Sequence, residues 1–186
     1  LFNKQKLSSA ISLAKSNLLD RILRCPDHAD LGFGEDEFPP EKTIYITLLK
    51  NTGIHRQDED GAYVFGAPID ERVMDFWNAC EDFVAKTVDR PRKVSELIKI
   101  LTSRPFKMKQ GFIDFWIPIY LYIKQQDFAM YNASGTYVMT INREVIDLLW
   151  KHPGEYTIKA FSVSGVKLEF FRKYRQFLKK DDEIAL

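Results

Sequence analysis

The run Phe112-Ile-Asp-Phe-Trp-Ile-Pro-Ile-Tyr-Leu-Tyr-Ile123 constrains this chain more than any other stretch. Its one charged residue is Asp114. Wound as a helix, the run is apolar on nearly every face, and such a helix has to be buried. It is too short to cross a bilayer, which takes roughly 20 residues. Trp116 and Ile119, with no polar face beside them to turn outward, are expected in the core. Pro118 removes a backbone donor from the helix interior and predicts a kink there. The rest of the chain therefore has to supply cover on several sides of one helix.

The covering elements can be read in order. Leu7, Ile11, Ala14, Leu18 and Ile22 recur at helical spacing, and Pro26 lies just past the end. Pro39-Pro40 opens a second helix with Glu41 in its first turn, and Asn51-Thr52-Gly53 closes it. Ile54-His-Arg56 and Ala62-Tyr-Val-Phe65 read as short strands around the polar tip 57–61. A third helix runs from Asp70 to about Val88, with Val73, Phe76, Trp77, Cys80, Phe83 and Val84 on one stripe, and Pro91 ends it. A short helix then runs from Val94 to about Ser103, capped at Ser95 or its neighbour.

Beyond the central helix, 128–132 and 136–140 read as strands about a turn at Ala133-Ser-Gly135. Asn142 caps a helix over 143–151, and 156–163 alternates as a strand does. The last helix, 165–180, gathers Phe170, Phe171, Tyr174, Phe177 and Leu178 on one face. Arg172, Lys173, Arg175, Lys179 and Lys180 lie on the other.

This pattern is mainly α with small β-hairpins, an α+β fold. It repeats the order helix, helix, hairpin, which is winged-helix-like and suggests two tandem units. Residues 1–69 form a helical region with the outline of a first unit. Residues 70–186 form a winged-helix-like domain ending in the basic helix. No linker rich in Gly, Pro or Ser separates them, so the halves are expected to pack together. The chain begins on Leu1, and a piece of a longer protein is the expectation.

Charge is uneven along the chain. Residues 1–90 hold 11 Lys and Arg against 16 Asp and Glu, while residues 91–186 hold 16 against 10. The second half is therefore the place for a basic face. The last helix is the best binding candidate, through Arg172, Lys173, Arg175, Lys179 and Lys180. Arg104, Lys107 and Lys109 form a second cluster just before the central helix. In a DNA-reading helix-turn-helix the second helix enters the major groove. Here that helix is the apolar one, with almost no Arg, Asn or Gln to read base edges. Any DNA contact is expected to be non-specific and made to phosphate.

Enzyme chemistry has little to stand on. No phosphate-cradling Gly-x-x-x-x-Gly-Lys-Ser/Thr occurs, no dinucleotide fingerprint follows a strand, and neither a nucleophile elbow nor His-Glu-x-x-His is found. Cys25-Pro-Asp-His28 offers two zinc ligands where a structural site needs four. The acidic loops 35–37 and 58–60 lack calcium-loop spacing. Cys25 and Cys80 give no disulfide framework, which fits reduced thiols in a cytoplasmic protein. The expectation is no cofactor, no metal, no membrane and no catalysis.

Three segments, in order, carry a resemblance to a known family. They are Asn3 to Leu23, then Phe38-Pro-Pro-Glu-Lys-Thr-Ile-Tyr-Ile-Thr-Leu-Leu-Lys-Asn-Thr-Gly-Ile-His55, then Leu101-Thr-Ser-Arg-Pro-Phe-Lys-Met-Lys-Gln-Gly-Phe112. The third continues through Ala129-Met-Tyr131, Gly135-Thr-Tyr-Val138 and Pro153. Together they resemble the region downstream of the nucleotide-binding module in very large bacterial P-loop ATPases. Some of these are associated with phage-defence islands of the BREX type. Where that family carries a Pro-Tyr-Gly-like turn, this chain has Pro105-Phe-Lys107. The resemblance implies a non-catalytic accessory domain, with the ATPase residues elsewhere in the parent. Its role would be to position the motor on DNA or on other subunits of a defence complex. The alternative is a protein-interaction module unrelated to nucleic acid.

Overall fold

The computed structural model of the chain describes residues 9–161. They form a mixed α+β fold, mainly helical, with one two-stranded and one four-stranded antiparallel sheet. Helix α1, Ser9–Arg24, buries Ala14, Leu18, Leu19 and Ile22 along one stripe. A 3-10 turn follows at Ala29–Gly32, in which Asp30, Leu31 and Gly32 all take positive φ. Two of the three carry side chains, an arrangement that only surrounding packing can hold. The fully buried Leu31 supplies that packing.

Helix α2, Pro40–Tyr45, starts on a proline, whose missing N–H is no loss in the first turn. It runs on as a π-helical turn over Ile46–Lys50. The exit needs glycine at Gly53, where φ is +74° and an added Cβ would come within 2.9 Å of Ile69. Strands β1, His55–Gln57, and β2, Tyr63–Phe65, make the hairpin, with His55 opposite Phe65. The Asp58 carboxylate pins its tip by accepting from the amides of Asp60 and Ala62.

Helix α3, Glu71–Ala85, is capped by Asp70, whose carboxylate accepts from the Arg72 amide at 2.9 Å. Strand β3, Arg92–Lys93, leads straight into α4, Val94–Thr102. The start of α4 differs in detail from the capping expected at Ser95 or its neighbour. Lys93 holds the cap position, and the Glu96 carboxylate reaches back to its amide at 3.0 Å. That is the return half of a capping box.

Helix α5, Gln110–Ile123, is followed by β4, Phe128–Tyr131, β5, Tyr137–Val138, α6, Arg143–Lys151, and β6, Thr157–Ala160. Asn142 caps α6, its side chain accepting from the Val145 amide at 3.0 Å. The larger sheet has the order β3-β6-β4-β5. Strand β6 thus returns between β3 and β4, and β5 and α6 are inserted in the chain before it.

The central run behaves as its composition requires. Ile113, Phe115 and every residue from Trp116 to Leu121 are buried, and Trp116 and Ile119 are fully so. Trp116 takes Phe76 edge-on at 4.6 Å and Trp77 at 5.9 Å, and its indole N–H donates to the Cys80 sulfur at 3.4 Å. Pro118 lies inside α5 without ending it. The proline leaves the Asp114 carbonyl, one turn back, without its helical donor. The Trp150 indole of α6 donates to that carbonyl at 2.8 Å.

One buried cluster runs from Leu18 to Ala160, so α1 to β6 share a core. Polar ties cross it as well. Arg143 of α6 donates to the Ser16 carbonyl at 2.9 Å and to the Ser16 hydroxyl at 2.7 Å on α1. No helix among the described residues is long and apolar enough to cross a membrane.

Candidate functional site

The basic residues singled out on the last helix, Arg172, Lys173, Arg175, Lys179 and Lys180, lie outside the described residues. The second cluster lies within them, and the fold enlarges it. Residues 90–109 hold seven Lys and Arg against the single acid Glu96. Arg90 lies in the connection from α3, Arg92 and Lys93 in β3, Lys99 in α4, and Arg104, Lys107 and Lys109 in the turn that joins α4 to α5. Arg90, Lys93, Lys99, Arg104, Lys107 and Lys109 are all exposed. Among the described residues, none of these six has a carboxylate partner.

Local sequence explains why they gather. Val94, Leu97 and Leu101 are buried at helical spacing, which leaves Lys99 on the outer face of α4. After Thr102 the chain turns back on itself. The Lys107 amide bonds the Ser103 carbonyl at 2.8 Å, and the Met108 amide bonds the Leu101 carbonyl at 2.9 Å. Lys107 completes the turn at a φ of 50°. Arg104, Lys107 and Lys109 are thereby carried to the end of α4.

Glu96 is the one acid of residues 90–109, and its hydrogen bonds go to Arg92 and the start of α4. One carboxylate oxygen accepts from Arg92 Nε at 3.0 Å and Nη2 at 2.9 Å. The other accepts from the Lys93 amide. The amide and the guanidinium outweigh the effect of burial and hold the Glu96 carboxyl below its usual range. Arg92 is fixed a second way, its guanidinium lying 4.5 Å over the Phe83 ring. Between α4 and the turn lies an open cleft of about 460 Å³, lined by Arg92, Glu96, Lys99, Ile100, Ser103, Arg104, Pro105 and Phe106.

Helix α5, the helix that would enter a DNA groove, is packed away. Helix α3 covers it through Phe76 and Trp77, and α6 through Trp150. Lys15 of α1 sits 3.9 Å from the Asp114 carboxylate and 3.8 Å over the Trp150 ring. No base edge can reach such a helix without unpacking the core.

A polar chain that runs from the surface at Lys50 to the buried Tyr45 and His55 forms the other notable group. Lys50 pairs with Asp30 at 2.7 Å, Asp30 lies 3.2 Å from the Tyr45 hydroxyl, and that hydroxyl lies 2.9 Å from His55 Nδ1. His55 Nε2 lies 3.0 Å from the Pro26 carbonyl, which can only accept. Nε2 therefore carries a proton, and in the neutral ring Nδ1 accepts from Tyr45. If His55 gained a second proton, the hydroxyl would have to turn to Asp30. Burial lowers the His55 pKa, against the opposing pull of the Pro26 carbonyl and Asp30. Burial raises Tyr45, and the Asp30 charge adds to it. Burial also pushes Asp30 up, but the Lys50 hydrogen bond and charge offset that and leave it below its usual value. His55 is only 2% exposed, so no substrate meets it, and the chain reads as a fastener between the 29–32 turn, α2 and β1.

A second cleft, of about 390 Å³, lies between the β1–β2 hairpin and the ends of α3 and α5. Lys124 there bridges Glu81 at 3.2 Å and Asp127 at 2.6 Å, and the Tyr120 hydroxyl donates to Glu81. Burial pushes the Cys80 thiol up to about 12, which makes it a poor nucleophile. Among the described residues, no three His, Cys, Asp or Glu side chains gather as a metal site.

Sequence reasoning placed Arg104, Lys107 and Lys109 together but not Arg90, Lys93 or Lys99. The seven-to-one ratio over 90–109 was the available signal. Comparison of the chain with known protein families, curated proteins and solved structures finds no match.

Proposed function

We propose that this chain is a non-catalytic accessory domain of a large P-loop ATPase in genome or phage defence. It positions its parent on DNA, through contacts to the phosphate backbone that read no sequence, or on a partner protein of that assembly. The observation that carries this reading is the edge at α4: six exposed cations with no carboxylate ion-pair partner among the described residues, beside a buried α5. Cations left free at a surface are the footprint of a polyanion. The order of elements agrees with it. Helix α3, strand β3, helices α4 and α5 and strands β4 and β6, with β6 between β3 and β4, is the arrangement expected of a winged-helix-like unit. The sequence resemblance supplies the ATPase and the defence setting, and a cytoplasmic location follows from that setting.

Titration of the intact chain with two unrelated duplexes at two salt concentrations tests the reading. Similar affinity for both is expected, falling steeply as salt rises because bound counterions are released. Absence of binding to any nucleic acid at low salt, duplex or single strand, would overturn it, and so would strong preference for one sequence. A second reading, a protein-interaction module, rests on the apolar side chains left at the surface. Phe38 is 83% exposed, Ile69 68% and Leu13 62%. Capture of a partner protein without sensitivity to salt would favour that reading.

A further inference from the structure

We infer that the cleft between α4 and the Ser103–Phe106 turn takes one nucleotide of a single nucleic-acid strand, its phosphate between Lys99 and Arg104 and its base against Pro105 and Phe106. The inference rests on the polyanion reading above and deepens it by naming the form of nucleic acid. The cleft has about 460 Å³, within the range of small-molecule sites. Its lining divides in two. Lys99 and Arg104 are exposed and have no carboxylate partner among the described residues, whereas Arg92 and the one carboxylate, Glu96, already satisfy each other. What remains for a ligand on that side is positive charge and the Ser103 hydroxyl. The rest of the lining is apolar, made by Ile100, Pro105 and Phe106, and Phe106 is half-buried against the core. Its ring is thus already ordered and costs little to fix on binding.

A duplex makes poor use of such a cleft. Its bases are stacked inside, and only its phosphates face outward, so the apolar wall would stand idle. A single strand offers both parts at once, a phosphate and an unstacked base with an apolar face. Cation-lined grooves with aromatic side chains beside them are how proteins hold single strands without reading sequence. The buried α5 removes the usual route to duplex recognition by an inserted helix.

Fluorescence anisotropy of the intact chain with a labelled oligothymidine, and with a mixed-sequence duplex of equal length, tests this. The oligothymidine is expected to bind more tightly than the duplex. The double variant Lys99→Glu/Arg104→Glu should weaken it by roughly tenfold or more, since two phosphate contacts become repulsions. Phe106→Leu keeps an apolar side chain in place but removes the stacking face, and a loss of roughly tenfold is expected. Thermal melting confirms that each variant is folded. Duplex binding equal to or tighter than the oligothymidine would overturn the inference and leave the proposed function standing. So would a folded Lys99→Glu/Arg104→Glu variant that binds as before while Arg172→Glu/Lys173→Glu/Arg175→Glu does not bind. Failure of the unaltered chain to bind either nucleic acid would overturn both.

Discussion

The Lys50–Asp30–Tyr45–His55 chain and the α4 edge are both rich in polar and charged groups, yet they are organised in opposite ways. In the first, each group has a partner within hydrogen-bond reach, ending on the Pro26 carbonyl. In the second, six cations have no carboxylate partner among the described residues, and Glu96, the one acid of residues 90–109, is engaged by Arg92. Satisfied and buried groups fasten a fold, because removing one strands the others. Unpaired surface cations contribute little to folding and remain available to a ligand. The contrast therefore separates what holds this molecule together from what it can offer to another.

The apolar side of the interior sets the scale. Trp116→Ala removes a fully buried indole packed on Phe76 and Trp77 and bonded to Cys80. It should cost about 3–5 kcal/mol in urea unfolding, as aromatic truncations in cores do. A loss near 1 kcal/mol would mean that α5 is not the centre of the core.

Tyr45→Phe sharpens the comparison on the polar side. It keeps the ring against Phe33 and His55 but takes away the one proton that His55 and Asp30 share. A cost of about 1–3 kcal/mol is expected, the penalty for leaving buried polar groups unpaired. A neutral result would show that water replaces the hydroxyl.

A pH effect follows from the same chain. The folded His55 pKa lies below its unfolded value of roughly 6.5. The unfolded state therefore takes up more protons as pH falls through that value. The stability this histidine contributes is complete above about pH 6.5 and is lost progressively as pH drops toward the folded value. Unfolding midpoints at stepped pH should decline over that window in the unaltered chain and decline less in His55→Gln. Equal declines would place the titrating group elsewhere.

Much of this architecture is legible in the sequence, and the reasons are local. The apolar run 112–123 has the composition of a buried helix and is one, while Asp70 and Asn142 carry capping side chains where helices begin. What stayed hidden depends on tertiary structure. Strand β3 has two residues, too few to show a period, and exists because β6 returns beside it. The π-helical turn at 46–50 and the positive φ of Asp30 and Leu31 have no composition of their own. The Asp30–Tyr45–His55 contacts join residues 10 and 15 positions apart in the chain, which no local pattern reveals. The basic edge was half visible: Arg104, Lys107 and Lys109 are neighbours in sequence, but Lys99 joins them only because the chain turns back after α4.

Smallest in its effect on folding, Lys99→Ala/Arg104→Ala should change stability by no more than about 0.5 kcal/mol, the usual range for surface sites. The same variant gives the most direct test of the account, through the salt dependence of its binding to a single-stranded oligonucleotide. Each phosphate contact on a single strand contributes roughly 0.7 to the slope of log affinity against log salt. Lys99 and Arg104 share one phosphate, so removing both should flatten the slope by about 0.7 relative to the unaltered chain. A slope that stays the same in a folded variant would contradict the claim that the cations free at α4 are the ones that meet the phosphates.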